Sequence, residues 1–257
     1  MDLGLADKKI LITGGSKGIG LACARAFLSE GARIAIVSRS RANLDAAKQS
    51  LECYCVAADL TDAAAAASMV ERVEKEFGPL DVLVNCAGAA RRTDAAELTP
   101  AAWHAGMDAK YFSYIHVIDP VIKRMAARGR GAIVNIIGSG GKLPSDTHLA
   151  GGAANAALML ASAGLAHAYA AKGVRVVGIN PGLTRTERVS EGMKAEARRA
   201  GISEEEALSR ALQRLPLGRL AEPEEIADIA LFAASERGRF LTGANISADG
   251  VANPTVV

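Results

Sequence analysis

Aromatic residues are scarce in this chain: Phe, Trp and Tyr together make up 4% of its 257 residues. Proteins that hold single-stranded nucleic acid stack the bases on aromatic side chains, so such a surface is not expected here. The formal net charge is only +2, and the arginines are scattered apart from one early doublet, Arg91 and Arg92. That charge balance attracts polyanions weakly. We therefore expect no nucleic-acid partner and interpret the doublet as part of a solvated loop.

Long apolar runs and a basic leader are also missing. By inspection, no apolar stretch comes near the ~20 residues that a helix needs to cross a bilayer. The opening residues MDLGLADKKILITGG place acids and lysines before a short apolar run, which is unlike a signal peptide. These features predict a cytoplasmic protein without a membrane partner.

Cysteines are few, and their spacing is not that of metal ligands. The chain has four, Cys23, Cys53, Cys55 and Cys86. No pair has the short repeated spacing of a zinc site, so no metal is expected and the thiols are interpreted as reduced. Cys53 and Cys55 should lie on one face of a strand, because side chains alternate along a strand.

Seven short runs rich in isoleucine and valine alternate with longer alanine-rich segments. The runs are KKILIT, ARIAIVS, ECYCVAA, LDVLVN, GAIVNII, GVRVVGIN and FLTGANISA. Strands that alternate with helices pair in parallel, with helices on both faces of the sheet. The pattern predicts an α/β protein with a single-domain Rossmann fold over residues 1–257, built on a doubly wound seven-stranded parallel sheet.

Helix-start signals separate the strands. Thr99 followed by Pro100, Asp62, and Ser203 with Glu206 three residues later are typical helix N-termini. No linker or repeat interrupts the pattern. Residues 184–215 are charged and weakly apolar, and we interpret them as an inserted lid over the substrate.

The stretch TGGSKGIG, Thr13 to Gly20, follows the first strand and opens a helix. In that context Gly14 permits a tight turn, Gly18 lets the backbone approach a pyrophosphate, and Gly20 lets the helix pack on the strand. The helix N-terminus then faces the anion. A dinucleotide site is therefore predicted at this loop.

The end of the second strand indicates which dinucleotide binds. An NAD site places an acid there to hold the ribose hydroxyls, whereas this chain has Ser38, Arg39 and, nearby, Arg41, with Lys17 in the glycine loop. Arginine can pair with a 2′-phosphate, which an acid would repel. The cofactor is therefore predicted to be NADP(H); the alternative is that Arg39 is an ordinary surface residue.

Together these motifs resemble the short-chain dehydrogenase/reductase family over nearly the whole chain. TGGSKGIG is similar to the family's TGxxxGxG loop, NCAG (residues 85–88) to its NNAG, INPG (179–182) to its post-strand motif, and LTGANISADG to its closing strand. Cys86 departs from the second asparagine of NNAG, and we expect only a local packing change. The resemblance and the preceding patterns imply these cofactor-binding residues: Thr13, Gly14, Ser16, Lys17, Gly18, Ile19, Gly20, Ser38, Arg39, Asp59, Leu60, Asn85, Ala87, Gly88, Asn155, Pro181, Gly182 and Thr184.

The same resemblance implies four catalytic positions, a serine, a tyrosine, a lysine and an asparagine, and all four are altered. Gly138 stands at the serine position, Gly151 at the tyrosine position and Asn155 at the lysine position, while Lys110 stands at the asparagine position. None of the side chains of GGAAN, residues 151–155, exchanges a proton near pH 7.

Neighbouring residues are the candidates that could replace this machinery: Lys110, Ser139, Asn155 and His148, the last with a suitable pKa for acid-base work. The default interpretation is that Lys110 and His148 are solvated. Three hypotheses remain open: NADP(H)-dependent hydride transfer to an electron-poor small molecule without a tyrosine acid, a non-catalytic NADP(H) sensor, and non-redox chemistry through Lys110 or His148.

By resemblance, the helices predicted over 100–128 and 151–172 and the closing strand imply a homo-oligomer, a dimer or tetramer.

Overall fold

A seven-stranded sheet lies at the centre of the computed structural model, which describes residues 2–88 and 90–255 of the predicted domain 1–257. All neighbouring strands run parallel. The strands are β1 Lys9–Thr13, β2 Arg33–Ser38, β3 Cys53–Ala57, β4 Val82–Asn85, β5 Gly131–Ile136, β6 Val174–Pro181 and β7 Asn245–Ala248. Their order is β3-β2-β1-β4-β5-β6-β7, which confirms the predicted fold class and all seven predicted strands.

Helices cover both faces of the sheet. They are α1 Gly18–Ser29, α2 Arg41–Lys48, α3 Ala63–Glu76, α4 Pro100–Met107, α5 Ser113–Ala127, α6 Leu149–Tyr169, α7 Glu187–Ala200, α8 Glu204–Gln213 and α9 Pro223–Ala234. Side chains of β1 alternate between two apolar cores: Ile10 and Ile12 pack with α1 and α9, and Leu11 packs with α3 and α5. Because both faces are buried, the strands read as continuous apolar runs.

The predicted helix starts are confirmed. The side chain of Asp62 accepts hydrogen bonds from two backbone N–H groups at the start of α3, and Thr99 accepts one at the start of α4, where Pro100 is the first helical residue. Ser203 accepts the N–H of Glu206 at the start of α8. Each cap satisfies a donor that the helix itself leaves unpaired.

The long helix predicted over 100–128 is interrupted. Residues Asp108–Phe112 form a π-helical turn between α4 and α5. Such turns insert an extra residue, change the direction of the following side chains and are frequent at functional sites. Lys110 lies in the middle of this turn, which the sequence pattern did not indicate.

Helix α6 corrects the expectation about apolar runs. Together with the 3-10 turn Ala170–Lys172 it forms 24 residues, Leu149–Lys172. An 18-residue window within it has a mean hydropathy of 1.4, and by length and composition the helix could cross a membrane. Inspection missed it because alanine and glycine supply most of its length. One face is buried, with Ala154, Leu158 and Ser162 at 1% exposure or less. Core helices meet the same criterion, so α6 is no argument for a membrane.

The segment 184–215, predicted to be a lid, contains α7 and α8. These helices follow β6 and precede α9, at the carboxyl ends of the strands. Their role as a lid stays a prediction.

Candidate cofactor and substrate site

The glycine loop between β1 and α1 forms a cradle that side chains would fill. Gly14 has a φ of +68°, and a Cβ built there would lie 2.9 Å from the backbone nitrogen and Cα of Ala87. A Cβ at Gly20 would lie 2.8 Å from the carbonyl carbon of Gly14. Helix α1 begins at Gly18 without a side-chain cap, so its first N–H groups stay available to an anion. The residues present therefore fit a pyrophosphate.

A buried polar chain fixes this loop to the neighbouring strands. Thr13 Oγ1 accepts the N–H groups of Cys86 and Ala87 and donates to Asn85 Oδ1 at 3.3 Å. Asn85 Nδ2 donates to Asn135 Oδ1 at 3.0 Å, and Asn135 Nδ2 donates to Ser162 Oγ at 2.9 Å. The sequence analysis missed Asn135 and Ser162, since nothing in the sequence paired a strand residue with a residue halfway along α6.

The region predicted to hold the adenosine lies at the ends of β2 and β3. Arg39 is exposed after β2, and Ser38 Oγ accepts the N–H of Ser40. Hydrogen bonds from the backbone and hydroxyl of Thr61 lower the pKa of Asp59, and the charge of Arg39 adds to this. Asp59 and Arg39 thus share one corner of the site. Leu60 is buried beside them.

Other predicted cofactor residues are distributed around the same edge of the sheet. Lys17 forms a 3.0 Å ion pair with Glu187, the first residue of α7. Both side chains are exposed, and such pairs are worth at most about 1 kcal/mol. The pair links the glycine loop to the segment predicted to be the lid. Ser16 is buried in the loop, and Ile19 is half-buried in the first turn of α1.

The post-strand motif closes the opposite side. Pro181 ends β6 beside Ala248 of β7, and a Cβ at Gly182 would lie 2.9 Å from Cα of Asp249. Thr184 is buried, and its Oγ1 donates to the carbonyl of Gly182 at 3.2 Å. Backbone therefore approaches backbone closely where a ligand would lie.

His148 occupies the space above Gly151. A Cβ built on Gly151 would lie 2.6 Å from Nε2 and 2.7 Å from Nδ1 of the His148 ring. Nδ1 is buried and has no hydrogen-bond partner within the described residues. The ring thus fills the position from which a larger residue at 151 would extend.

The expectation that His148 has a pKa suited to acid-base work is wrong, and so is the default that it is solvated. Burial, followed by the charges of Arg92, Arg188 and Lys110, lowers the pKa of His148 to about 4. The imidazole is therefore uncharged near pH 7, so it is not an imidazolium that could act as a proton donor.

Lys110 is buried at 7% exposure, contrary to the default that it is solvated. Its Nζ donates to Tyr114 Oη at 2.8 Å and to the carbonyl of Ile136 at 3.0 Å, and Tyr114 Oη donates to the same carbonyl at 2.5 Å. Burial, reinforced by the charge of Arg188, lowers the pKa of Lys110 to about 7. The amine sits at the point where it can exchange a proton near neutral pH.

The other candidate residues are less well connected. Asn155 is 5% exposed, and its Nδ2 would lie 3.2 Å from a Cβ built on Gly138, whose φ is +125°. L-residues with side chains rarely adopt that conformation, so the backbone at 138 favours glycine. Ser139 begins a 3-10 turn and is half-buried. The structure therefore brings Asn155 against Gly138, but gives Ser139 no partner among the described side chains.

Arg188 was not singled out from the sequence. It lies in the first turn of α7, and its Nη1 is 3.5 Å from the carbonyl of Gly88, at the end of β4. Burial lowers the pKa of the Arg188 guanidinium, although the residue as a whole is exposed. The charged end therefore points inward over the strand ends.

No group of three metal-ligating side chains occurs in residues 2–88 and 90–255.

Two cavities lie away from His148 and Lys110. One of about 170 Å³ lies behind Gly182 and is lined mainly by apolar side chains such as Leu183, Leu217 and Ile226. A larger groove of about 580 Å³ lies at the amino ends of the central strands, near Lys8 and Arg175. Because ligands of open parallel sheets bind at the carboxyl ends of the strands, we assign the site to the His148–Lys110 cluster.

Residues 14–251 match the family model described as Enoyl-(Acyl carrier protein) reductase. Galactitol 2-dehydrogenase (L-tagatose-forming) of Cereibacter sphaeroides is 36% identical over 244 residues, which cover 93% of this chain and 92% of that protein. D-threitol dehydrogenase of Mycolicibacterium smegmatis is 35% identical over 257 residues, which cover 97% of this chain and 94% of that protein.

Solved structures agree with these matches. L-sorbose reductase from Gluconobacter frateurii, complexed with NADPH and L-sorbose, is 31% identical, with a TM-score of 0.92 and full coverage of both chains. An NADPH-bound short-chain oxidoreductase from Pseudomonas aeruginosa PAO1, described as containing an atypical catalytic center, is 31% identical, with a TM-score of 0.86 and coverage of 97% and 98%. The resemblance inferred from the motifs is confirmed, and this chain belongs to the short-chain dehydrogenase/reductase family of oxidoreductases.

Proposed function

We propose that this protein is an NADP(H)-dependent reductase of an electron-poor small molecule and works without the usual tyrosine acid. The observation that carries the proposal is the neutral imidazole of His148 above Gly151, at the same edge of the sheet as a glycine cradle that fits a pyrophosphate. Solved relatives that hold NADPH support the choice of cofactor.

The side chains around the site favour an acceptor that needs no proton in the transition state. Asn155 cannot donate a proton as an acid, and His148 is neutral near pH 7. Lys110 has a pKa of about 7, but its Nζ already donates to Tyr114 Oη and to the carbonyl of Ile136, so we assign it no proton transfer to the acceptor. When bound, NADPH would supply a hydride. A quinone takes up this electron pair, and solvent supplies the proton that completes the hydroquinone.

The protein's own part is to hold the cofactor and the acceptor in fixed positions. The Thr13–Asn85–Asn135–Ser162 chain holds the ends of β1, β4 and β5 in fixed relation. Positioning of two reactants alone can account for roughly 7–11 kcal/mol of a barrier. An electron-poor acceptor can then take up the hydride without an acid that protonates it in the transition state.

The test is a panel of acceptors monitored by loss of NADPH absorbance. Benzoquinones and other strongly electron-poor compounds should be reduced, whereas ordinary ketones should react roughly 10²–10⁴-fold more slowly, since general acid catalysis is absent. Asn155→Ala should cause only a modest loss. Fast ketone reduction by the wild type would overturn the proposal and return attention to Lys110, Ser139 and His148 as a relocated acid-base set.

A sensor that binds NADP(H) without turnover is the second candidate. The same ring above Gly151 favours it, because the imidazole takes up space that a substrate or an acid would use. Calorimetry separates the two functions: tight NADPH binding with no oxidation by any acceptor favours the sensor.

The preference for NADP(H) over NAD(H) is tested at Arg39. A charge-assisted phosphate contact is worth roughly 1.5–3 kcal/mol, so Arg39→Ala should weaken NADPH binding about ten- to a hundred-fold and leave NADH binding unchanged. Arg25→Ala, at an exposed position within α1, is the matched control. Titration calorimetry measures both. Equal wild-type affinities for NADH and NADPH would refute the preference.

We also propose a cytoplasmic homo-oligomer, a dimer or tetramer. The outer side of α6 carries Leu160 at 78% exposure, and Trp103 and Phe112 on the preceding helical segment are each 39% exposed. Apolar surface of this kind favours contact with another chain. A monomer in light scattering at micromolar concentration would contradict the proposed assembly.

A further inference from the structure

Three cationic side chains from three different elements surround His148. They are Lys110 in the π turn, Arg92 in the loop between β4 and α4, and Arg188 in α7, and all three lower the pKa of the imidazole after the effect of burial. Within residues 2–88 and 90–255, none of the three has a carboxylate oxygen within 4.0 Å. The substrate side of the site therefore carries the positive charges of Arg92 and Arg188, and that of Lys110 below its pKa of about 7, without a bound counter-charge.

Two of these groups, Arg92 and Arg188, are linked through α7. Arg92 Nη1 donates to Thr147 Oγ1 at 3.2 Å, next to His148. Its Nε would lie 4.0 Å from a Cβ built on Gly192, so the side chain also reaches α7. The guanidinium of Arg188 enters from the start of the same helix. Gly192 lies one turn after Arg188 in α7, so the side chain of Arg92 reaches the part of the helix that carries Arg188.

Among the described residues, nearby acidic groups form no ion pair with these three side chains, although the charge of Arg92 contributes to lowering the pKa of Glu196. Glu191, one turn along α7, is the weakest influence on the pKa of Arg188. Glu196 is hydrogen-bonded to Arg199 through both carboxylate oxygens. Other arginines of this region, by contrast, do have acidic partners: Arg185 pairs with Glu222 at 2.8 Å.

Resting on the proposed reductase activity, we propose that the acceptor carries an anionic group, a carboxylate or a phosphate, which Arg188 and Arg92 bind at the mouth of the pocket. Guanidinium groups match the two oxygens of such anions with paired N–H donors. Lys110, deeper in the site, adds to the attraction without a direct contact. With a neutral acceptor, both guanidinium groups would keep only the neutral oxygens of Thr147 and Gly88 as protein partners among the described residues.

Binding is the first test, because it does not depend on turnover. Benzoate, phenyl phosphate and neutral benzamide are titrated calorimetrically into protein saturated with NADP⁺, at low ionic strength so that exposed charges are not screened. At least one of the two anions should bind, benzamide should not, and Arg188→Met should weaken the anion roughly ten-fold. Whether benzoate or phenyl phosphate binds more tightly shows whether the site prefers a carboxylate or a phosphate.

Turnover is the second test. A benzoquinone that carries a carboxylate is compared with its methyl ester, and the acid should show a roughly ten-fold higher kcat/KM that Arg188→Met removes. Arg198→Met, on the exposed side of the same helix, is the matched control and should keep the preference. If neither quinone is reduced, the proposed reductase function fails while the binding test still decides the anion site.

Two results would overturn the inference. The first is binding of benzamide as tight as that of the anions, or anion affinity that Arg188→Met leaves unchanged. The second is a loss of NADPH affinity in Arg188→Met as large as the loss of anion affinity, since Arg188 would then be a cofactor contact.

Discussion

The triple variant His148→Ala/Gly151→Tyr/Asn155→Lys is expected to reduce ordinary ketones with NADPH at least roughly 10²-fold faster than the wild type. The tyrosine would restore a proton donor, and the lysine one helical turn later would lower its pKa. His148 must be removed as well, because its ring lies 2.6–2.7 Å from a Cβ at position 151. Gly138 is kept, since its φ of +125° does not suit a serine.

Controls for this variant isolate the hydroxyl. The same triple variant with Gly151→Phe carries a ring of similar shape but no hydroxyl, and it should reduce ketones at the wild-type rate. Gly151→Tyr alone should be poorly folded or inactive because of the contact with the ring. The rates come from NADPH loss with a simple cyclic ketone. An equal gain in the phenylalanine variant would show that space, not acid catalysis, limits ketone reduction.

The second large effect concerns stability. The free energy of unfolding of the wild type should rise by about 1.5 kcal/mol more than that of Lys110→Met between pH 7 and pH 8.5. The pKa of Lys110 is lowered to about 7 in the folded protein, mainly by burial, and the residue is 7% exposed. The unfolded chain, with an ordinary lysine pKa near 10.4, keeps its proton across this range.

The sign follows from the number of bound protons. Between pH 7 and 8.5 the folded protein loses the Lys110 proton while the unfolded chain retains it, so rising pH favours the folded state. Burial raises the pKa of Cys23, Cys86 and Tyr114, and these groups act in the opposite direction at higher pH. For that reason the window ends at pH 8.5.

Urea unfolding at several pH values measures this difference, and both proteins are compared so that shared groups cancel. Lys75→Met, at an exposed position of α3, is the control and should follow the wild type. If the free energies of unfolding of the wild type and of Lys110→Met change in parallel with pH, the buried amine does not change its charge in this range.

Local patterns sufficed for much of the fold and of the cofactor site. Strand positions followed from apolar runs because both faces of a parallel sheet are buried, and Asp62, Thr99 and Ser203 marked helix starts by purely local hydrogen bonds. The glycine loop likewise depends on its own backbone conformation and its immediate neighbours.

The interior of the candidate site depended on contacts between distant segments. Lys110 is buried because a π turn lies beside the end of β5, 26 residues further along the chain at Ile136. Arg188 enters from a helix that no sequence pattern placed over β4. One local signal was available for His148: it precedes Gly151 by three residues at a helix start, a spacing that brings side chains together, and the glycine leaves room for its ring.

The hydrogen bond between Thr13 and Asn85 joins residues 72 positions apart and lies where β1 meets β4. Before these two strands pair, β1 and β4 each have one edge without a partner strand. Contacts of such long sequence separation form slowly, and open strand edges promote aggregation. We therefore expect refolding to compete with association until this junction closes, and a refolding yield that falls as the protein concentration rises would reveal this competition. A dinucleotide, whose cradle needs Gly14 of one half beside Ala87 of the other, can stabilise the chain only after that step.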